Sequence, residues 1–107
     1  MEIEIVQIES HRIAVSKGWW ERKCEFPELI ALMHSELSEA LEAWRDRGYD
    51  GWETDDGKPG GVGSELADCV IRIAGACEAN QIDLAHCIAR KMRYNETRPY
   101  RHGGKRV

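Results

Sequence analysis

Glu36 and Glu39, and further along Glu65 and Asp68, form two pairs of carboxylates, each pair spaced three residues apart. On an α-helix that spacing sets both side chains of a pair on one side. Two such helices packed together would bring four carboxylates to one point. Four anions in one place repel each other unless a hard cation sits among them. Mg²⁺ is the natural occupant, with Mn²⁺ as a possible substitute.

The residues around the first pair separate this reading from that of a solvated acidic face. On a helical wheel of residues 28–46, Leu29, Leu32, Met33, Leu37, Ala40, Leu41, Ala43 and Trp44 make one broad apolar arc, with Glu28, Ser35, Ser38, Glu42 and Asp46 opposite. Glu36 falls inside the apolar arc and Glu39 at its edge. A carboxylate on a core-facing stripe is costly unless it is paired or ligates a metal, so Glu36 is the anomaly. Trp44, on the same arc, reads as core. His34 falls beside the polar side and reads as structural.

The second pair repeats the anomaly. Residues 62–79 are apolar almost all round, the pattern of a buried helix. The main polar stripe is Glu65, Asp68 and Arg72. A local Asp68–Arg72 ion pair, worth a few tenths of a kcal/mol, would account for Asp68 and leave Glu65 unexplained. Arg72 either holds Asp68 in place, the favoured reading, or reaches toward a bound substrate. An apolar surface this wide is more than a lone small bundle covers, which predicts a homodimer or homotetramer with its active site near the subunit interface.

The elements that must position these groups follow from the rest of the chain. With 107 residues it reads as a single domain, 1–107, of all-α class. A helix is expected over about 3–16, stopped by Gly18. The next starts at Phe26-Pro27-Glu28, with proline in its first turn, and ends near Arg47-Gly48. Residues 48–61 are turn formers throughout and long enough to be a flap. Ser64 is a candidate cap for the helix 65–79, unless Val62 and Gly63 already belong to it; Asn80 is its stop, and a last helix covers about 82–96. The whole is expected to be a four-helix-type bundle with an extended basic tail from Arg98.

Composition narrows the partners. Residues 90–107 carry seven Lys and Arg against one acid, and the remainder eight against eighteen. An acidic cage with a basic C-terminal segment suits a metal-bound polyanion, whereas the acidic body argues against a broad nucleic-acid surface. No stretch approaches the ~20 apolar residues of a membrane span. Met1-Glu2-Ile3-Glu4 lacks the basic start of a signal peptide. The four cysteines show no CxxC spacing, so neither a disulfide framework nor a zinc site is expected, and a cytoplasmic location follows.

Three stretches together carry a family resemblance: His34-Ser-Glu36-Leu-Ser-Glu39-Ala-Leu-Glu-Ala-Trp44-Arg45, Glu65-Leu-Ala-Asp68, and Lys91-Met-Arg-Tyr-Asn95-Glu-Thr-Arg98-Pro-Tyr100. The chain resembles the MazG-like nucleotide pyrophosphohydrolases of the all-α NTP pyrophosphatase superfamily, from about Lys17 to Lys105. The resemblance implies Mg²⁺-dependent hydrolysis of a (deoxy)nucleoside triphosphate between its α and β phosphates, giving monophosphate and pyrophosphate. It implies that Glu36, Glu39, Glu65 and Asp68 hold the ions, and that one of them also orients the attacking water. It further implies that Lys91 and Asn95 contact substrate.

For the base, Trp19 and Trp20 beside Lys17-Gly18 offer stacking faces, or else pack as lids between the first two helices. The tail from Arg98 to Arg106, with His102, either closes over the phosphates or stays disordered. Two other readings compete. A di-iron carboxylate bundle would need Glu-x-x-His pairs, and neither motif has a histidine at that place. A non-catalytic helical interaction module, binding nucleic acid or protein through its charged faces, leaves Glu36 on an apolar arc without a reason.

Overall fold

The computed structural model describes residues 1–104 and 106, with the side chain of His102 outside that description. The chain is all-α but for one small hairpin. The order is α1 (Ile3–Ser16), α2 (Phe26–Arg47), β1 (Trp52–Glu53), β2 (Pro59–Gly60), α3 (Val62–Ala79), α4 (Leu84–Thr97) and a single turn, α5 (Arg101–Gly104).

Local chemistry accounts for most boundaries. Gly18 takes φ +84° just past α1, and its N–H donates to the Val15 carbonyl at 3.1 Å. Proline occupies the first turn of α2, where its missing N–H costs nothing. Asn80 closes α3 and donates its side-chain amide to the Ala76 carbonyl at 2.8 Å. Asp83 caps α4 by accepting from the His86 N–H at 3.1 Å.

Two sequence expectations need correction. Ser64 is not a cap: α3 begins at Val62, with Gly61 at the cap position and no side-chain bond there. The expected extended tail is instead folded into α5 over residues 101–104, while Lys105 and Val107 lie outside the described residues.

Helix α3 is central. α2 packs along one side of it, α1 along another, and α4 rests mainly on α1. The core is built of small side chains: Ala40 and Ala43 from α2, Cys69, Ala74, Ala76 and Cys77 from α3, with Leu29 the largest. Gln7 is the polar exception. Its amide donates to Glu78 Oε1 (3.0 Å) and to the Ile82 carbonyl (2.7 Å), and its Oε1 accepts from the Leu84 N–H (3.3 Å). One buried side chain thus ties α1 to the α3–α4 turn. Gln7→Ala removes all three bonds and strands the Leu84 N–H, so it should cost about 2 kcal/mol and lower the melting temperature by on the order of 10 °C. Thermal denaturation followed by circular dichroism checks this; an unchanged melting point would contradict the clamp.

The single chain leaves much apolar surface bare. Its radius of gyration is 16.4 Å, against about 13 Å for a compact chain of this length. Its accessible surface is 8607 Å², against roughly 6,100 Å² for a compact chain of this mass. Leu37, Leu41 and Trp44 form an uncovered stripe on α2, and Leu66 and Val70 another on α3. Trp44, expected in the core, is 49% exposed because α3 covers only part of the apolar arc of α2. Among the described residues, no helix is long and apolar enough to cross a membrane.

The segment expected to be a plain loop contains the β1–β2 hairpin, antiparallel with Trp52 opposite Gly60 and Glu53 opposite Pro59. The indole of Trp52 lies directly against Gly60, where any Cβ would collide with it. Gly61, at φ +113°, then turns the chain into α3.

Candidate metal centre

The α2–α3 contact brings the two acidic pairs together. One carboxylate oxygen from each of Glu36, Glu65 and Asp68 lies within 4.8 Å of the others. Glu39 acts on Glu65 from α2 but stands outside the three converging oxygens. Glu36 is buried, Glu65 half-buried, Glu39 and Asp68 exposed, so the cluster grades from the helix interface out to solvent.

Arg72 corrects the sequence reading. Its Nε donates to Glu36 Oε1 at 2.7 Å, across the helix interface, rather than pairing along its own helix with Asp68. The reason lies in solvation. The Glu36 side chain is 9% exposed and cannot rely on water, whereas Asp68 can, so the guanidinium goes where an unpaired charge would cost most. Its positive charge still acts on Asp68.

The electrostatics are those of a site short of cations. Burial raises the proton affinity of Glu65, and the neighbouring Glu39 carboxylate and the charges of Asp68 and Glu36 raise it further. Asp68 is raised by burial and by Glu36, with Arg72 and Lys58 pulling the other way. An all-oxygen donor set of this charge fits Mg²⁺ or Mn²⁺ and offers none of the softer ligands zinc prefers.

A linkage sign follows. Glu65 and Asp68 bind protons more tightly folded than unfolded. Their contribution to stability is therefore full below the ordinary carboxylate range, about pH 4, and is lost as pH rises through their raised folded values. Relative to a Glu65→Gln/Asp68→Asn double variant, the metal-free protein should lose melting temperature as pH rises through that window, and Mg²⁺ should restore it. A difference between the two proteins that is flat with pH would contradict the mutual repulsion.

Two clefts open from the cluster. A cavity of about 810 Å³ runs from Glu36, Asp68 and Arg72 to Trp19, Trp20 and the end of α1. Trp20 is half-buried there and leans on His11, ring centroids 5.4 Å apart, whereas Trp19 is largely exposed. A smaller cleft of about 410 Å³ lies beyond Glu39 and Glu65, bounded by Trp52, Glu42 and Asp46.

The other sequence candidates lie elsewhere in the single chain. Lys91 and Asn95 are exposed on α4, and Arg98 follows its end, half-buried; none of the three lines either cleft. Lys91 and Arg98 both lie near the Tyr94 ring, at 5.6 and 5.7 Å from its centroid. His34 is exposed on α2.

Sequence reasoning did not find the Arg72–Glu36 pair or the part played by the hairpin. The first had a signal, since a misplaced carboxylate needs a cation; for the second, the aromatic Trp52 amid turn formers was the only hint. Comparison of the chain with models of protein families, with curated proteins and with solved structures gives no match.

Proposed function

We propose that this protein is a Mg²⁺-dependent nucleoside triphosphate pyrophosphohydrolase, cleaving a (deoxy)nucleoside triphosphate to monophosphate and pyrophosphate. The observation that carries the reading is the convergence of acids from two helices on one point, with one of them, Glu36, buried. A charge-rich cluster at a helix interface is destabilising by itself, and a divalent ion with a phosphate chain makes use of it.

Mg²⁺ bound there would neutralise phosphate oxygens and make water a better nucleophile at neutral pH. The residues divide the remaining tasks. Glu36, fixed by Arg72, anchors the site. Glu65 and Asp68 complete the oxygen donor set. Glu39 is exposed and stands outside the three converging oxygens, which suits it to orient a water for in-line attack and accept its proton. The larger cavity has the size of a nucleotide pocket, and Trp20, braced by His11, presents a face on which a base can stack.

The same reading includes self-assembly. The surface above that of a compact chain, roughly 2,500 Å², is what an obligate interface consumes, and the bare stripes on α2 and α3 are apolar enough to form one. Lys91 and Asn95 line neither cleft of their own chain, so a contact of theirs with substrate at the cluster would have to come from a second copy. The experiment is pyrophosphate release from a panel of ribo- and deoxyribonucleoside triphosphates with Mg²⁺. Release of pyrophosphate and monophosphate, abolished by chelator, is expected; orthophosphate and diphosphate as products, or no turnover of any member, would overturn the reading.

A further inference from the structure

We propose that Gly75, in the interior of α3, is the specificity-determining residue of the large cavity beside the carboxylate cluster: its missing side chain leaves the room in which the base of the nucleotide lies, and so limits how large a base the site accepts. This rests on the pyrophosphohydrolase reading and adds the part of the substrate that the metal does not touch.

A glycine in the middle of a helix weakens it relative to alanine, so its presence there needs a reason. One common reason is a neighbouring chain that comes too close for any side chain. That reason fails for Gly75. It is buried between Ala74 and Ala76, yet among the described residues a Cβ on it would meet no atom within 4 Å outside its own stretch of helix. Its backbone is also ordinary, since Gly75 is not one of the glycines with positive φ. What lies beside Gly75 is the cavity of about 810 Å³, which it lines. Neither backbone conformation nor packing within the chain demands glycine, whereas an occupant of the cavity would.

The place of Gly75 along α3 says which part of a ligand it meets. Asp68, Arg72 and Gly75 all line the cavity, and their spacing sets them on one face of the helix. Gly75 stands two turns beyond Asp68, about 10 Å along the axis, which is on the order of the reach from a nucleotide's phosphates across its sugar to the base. On α2 the lining residues step from the buried Glu36 through Leu32 to Leu29 in the core. The cavity is thus charged at the cluster and has apolar wall away from it, with Trp20 as its aromatic face. A nucleotide has the same polarity, an anionic chain at one end and a flat base at the other. Arg22 and Glu28 also border the cavity and are paired with each other at 3.3 Å.

The test separates room for a base from a structural need for glycine. Gly75→Ala and Gly75→Leu are compared with the wild-type protein in three measurements: thermal melts without nucleotide, calorimetric binding of Mg²⁺–pyrophosphate, and pyrophosphate release from purine and pyrimidine nucleoside triphosphates. The melting temperature should hold or rise by a few degrees, because a better helix former enters open space. Binding of Mg²⁺–pyrophosphate, which has no base, should be unchanged. For the nucleotide that the wild-type protein cleaves best, kcat/KM should fall at least roughly 10-fold in Gly75→Leu, the scale on which pocket size discriminates, and less in Gly75→Ala. Purine nucleotides should lose more than pyrimidine ones where both are cleaved. Unchanged kcat/KM in Gly75→Leu, equal losses for purines and pyrimidines, a lowered melting temperature, or pyrophosphate binding weakened as much as turnover would each overturn the assignment. If the wild-type protein releases no pyrophosphate from any nucleotide, the pyrophosphohydrolase reading itself fails, and the assignment with it.

Discussion

Glu65→Gln is expected to reduce turnover by at least roughly 10³-fold, about 4 kcal/mol of lost transition-state stabilisation, while making the metal-free protein more stable at neutral pH. The two effects have opposite signs and one cause. Burial and the charges of Glu39, Asp68 and Glu36 raise the proton affinity of Glu65, so its ionised form is disfavoured in the metal-free fold. A glutamine amide carries no charge there, so the fold gains what the metal loses. Glu36→Gln should be as damaging to turnover. Its amide oxygen can still accept from Arg72, which now bonds Glu36 at 2.7 Å, and so the variant should remain folded. Steady-state kinetics at saturating Mg²⁺, with thermal melts in chelator, measure both. Near-wild-type turnover in either variant would remove the four-carboxylate site.

The second large effect is complementation. Lys91→Ala should by itself lower kcat or raise KM sharply if Lys91 meets substrate, yet Lys91 lies on α4, away from both clefts of its own chain. Under the proposed self-assembly, a second copy would then be the source. Refolding equal amounts of Lys91→Ala and Glu65→Gln protein together should restore activity. A mixed dimer assembles one intact site from the carboxylates of one chain and the lysine of the other, and random pairing makes about a quarter of all sites intact. Recovery to about that level is the expected result. No recovery, in a mixture shown to exchange subunits, would mean that Lys91 acts within one chain or not at all. Sedimentation of the wild-type protein as a monomer at micromolar concentration would remove the premise.

These expectations rest on features that differed in how far the sequence displayed them. Glu36 was legible because a helical wheel puts it among Leu29, Leu32, Ala40 and Ala43, of which all but the exposed Leu32 are core residues in the fold. The helix ends at Gly18, Pro27 and Asn80 were legible because each residue acts locally. Trp44 was not, because a wheel tells which face is apolar and not how much of it a neighbour covers. The partner of Arg72 was not, because spacing along α3 favoured Asp68 while the deciding term, the burial of Glu36, belongs to the contact with α2. The hairpin hid for a different reason. Gly51, Gly57, Pro59, Gly60 and Gly61 all read as turn, yet two of those residues form β2, paired with β1, with the Trp52 indole against Gly60.

The central claim is that the converging carboxylates of Glu36, Glu65 and Asp68, with Glu39 beside them, make a divalent-cation site. Mn²⁺ binding, followed by the loss of the free-ion signal in electron paramagnetic resonance, tests it without any substrate. Saturable binding to the wild-type protein, competed by Mg²⁺ and abolished in the Glu65→Gln/Asp68→Asn double variant, is the predicted result. Binding of equal strength in the double variant, or none to the wild-type protein, would contradict it.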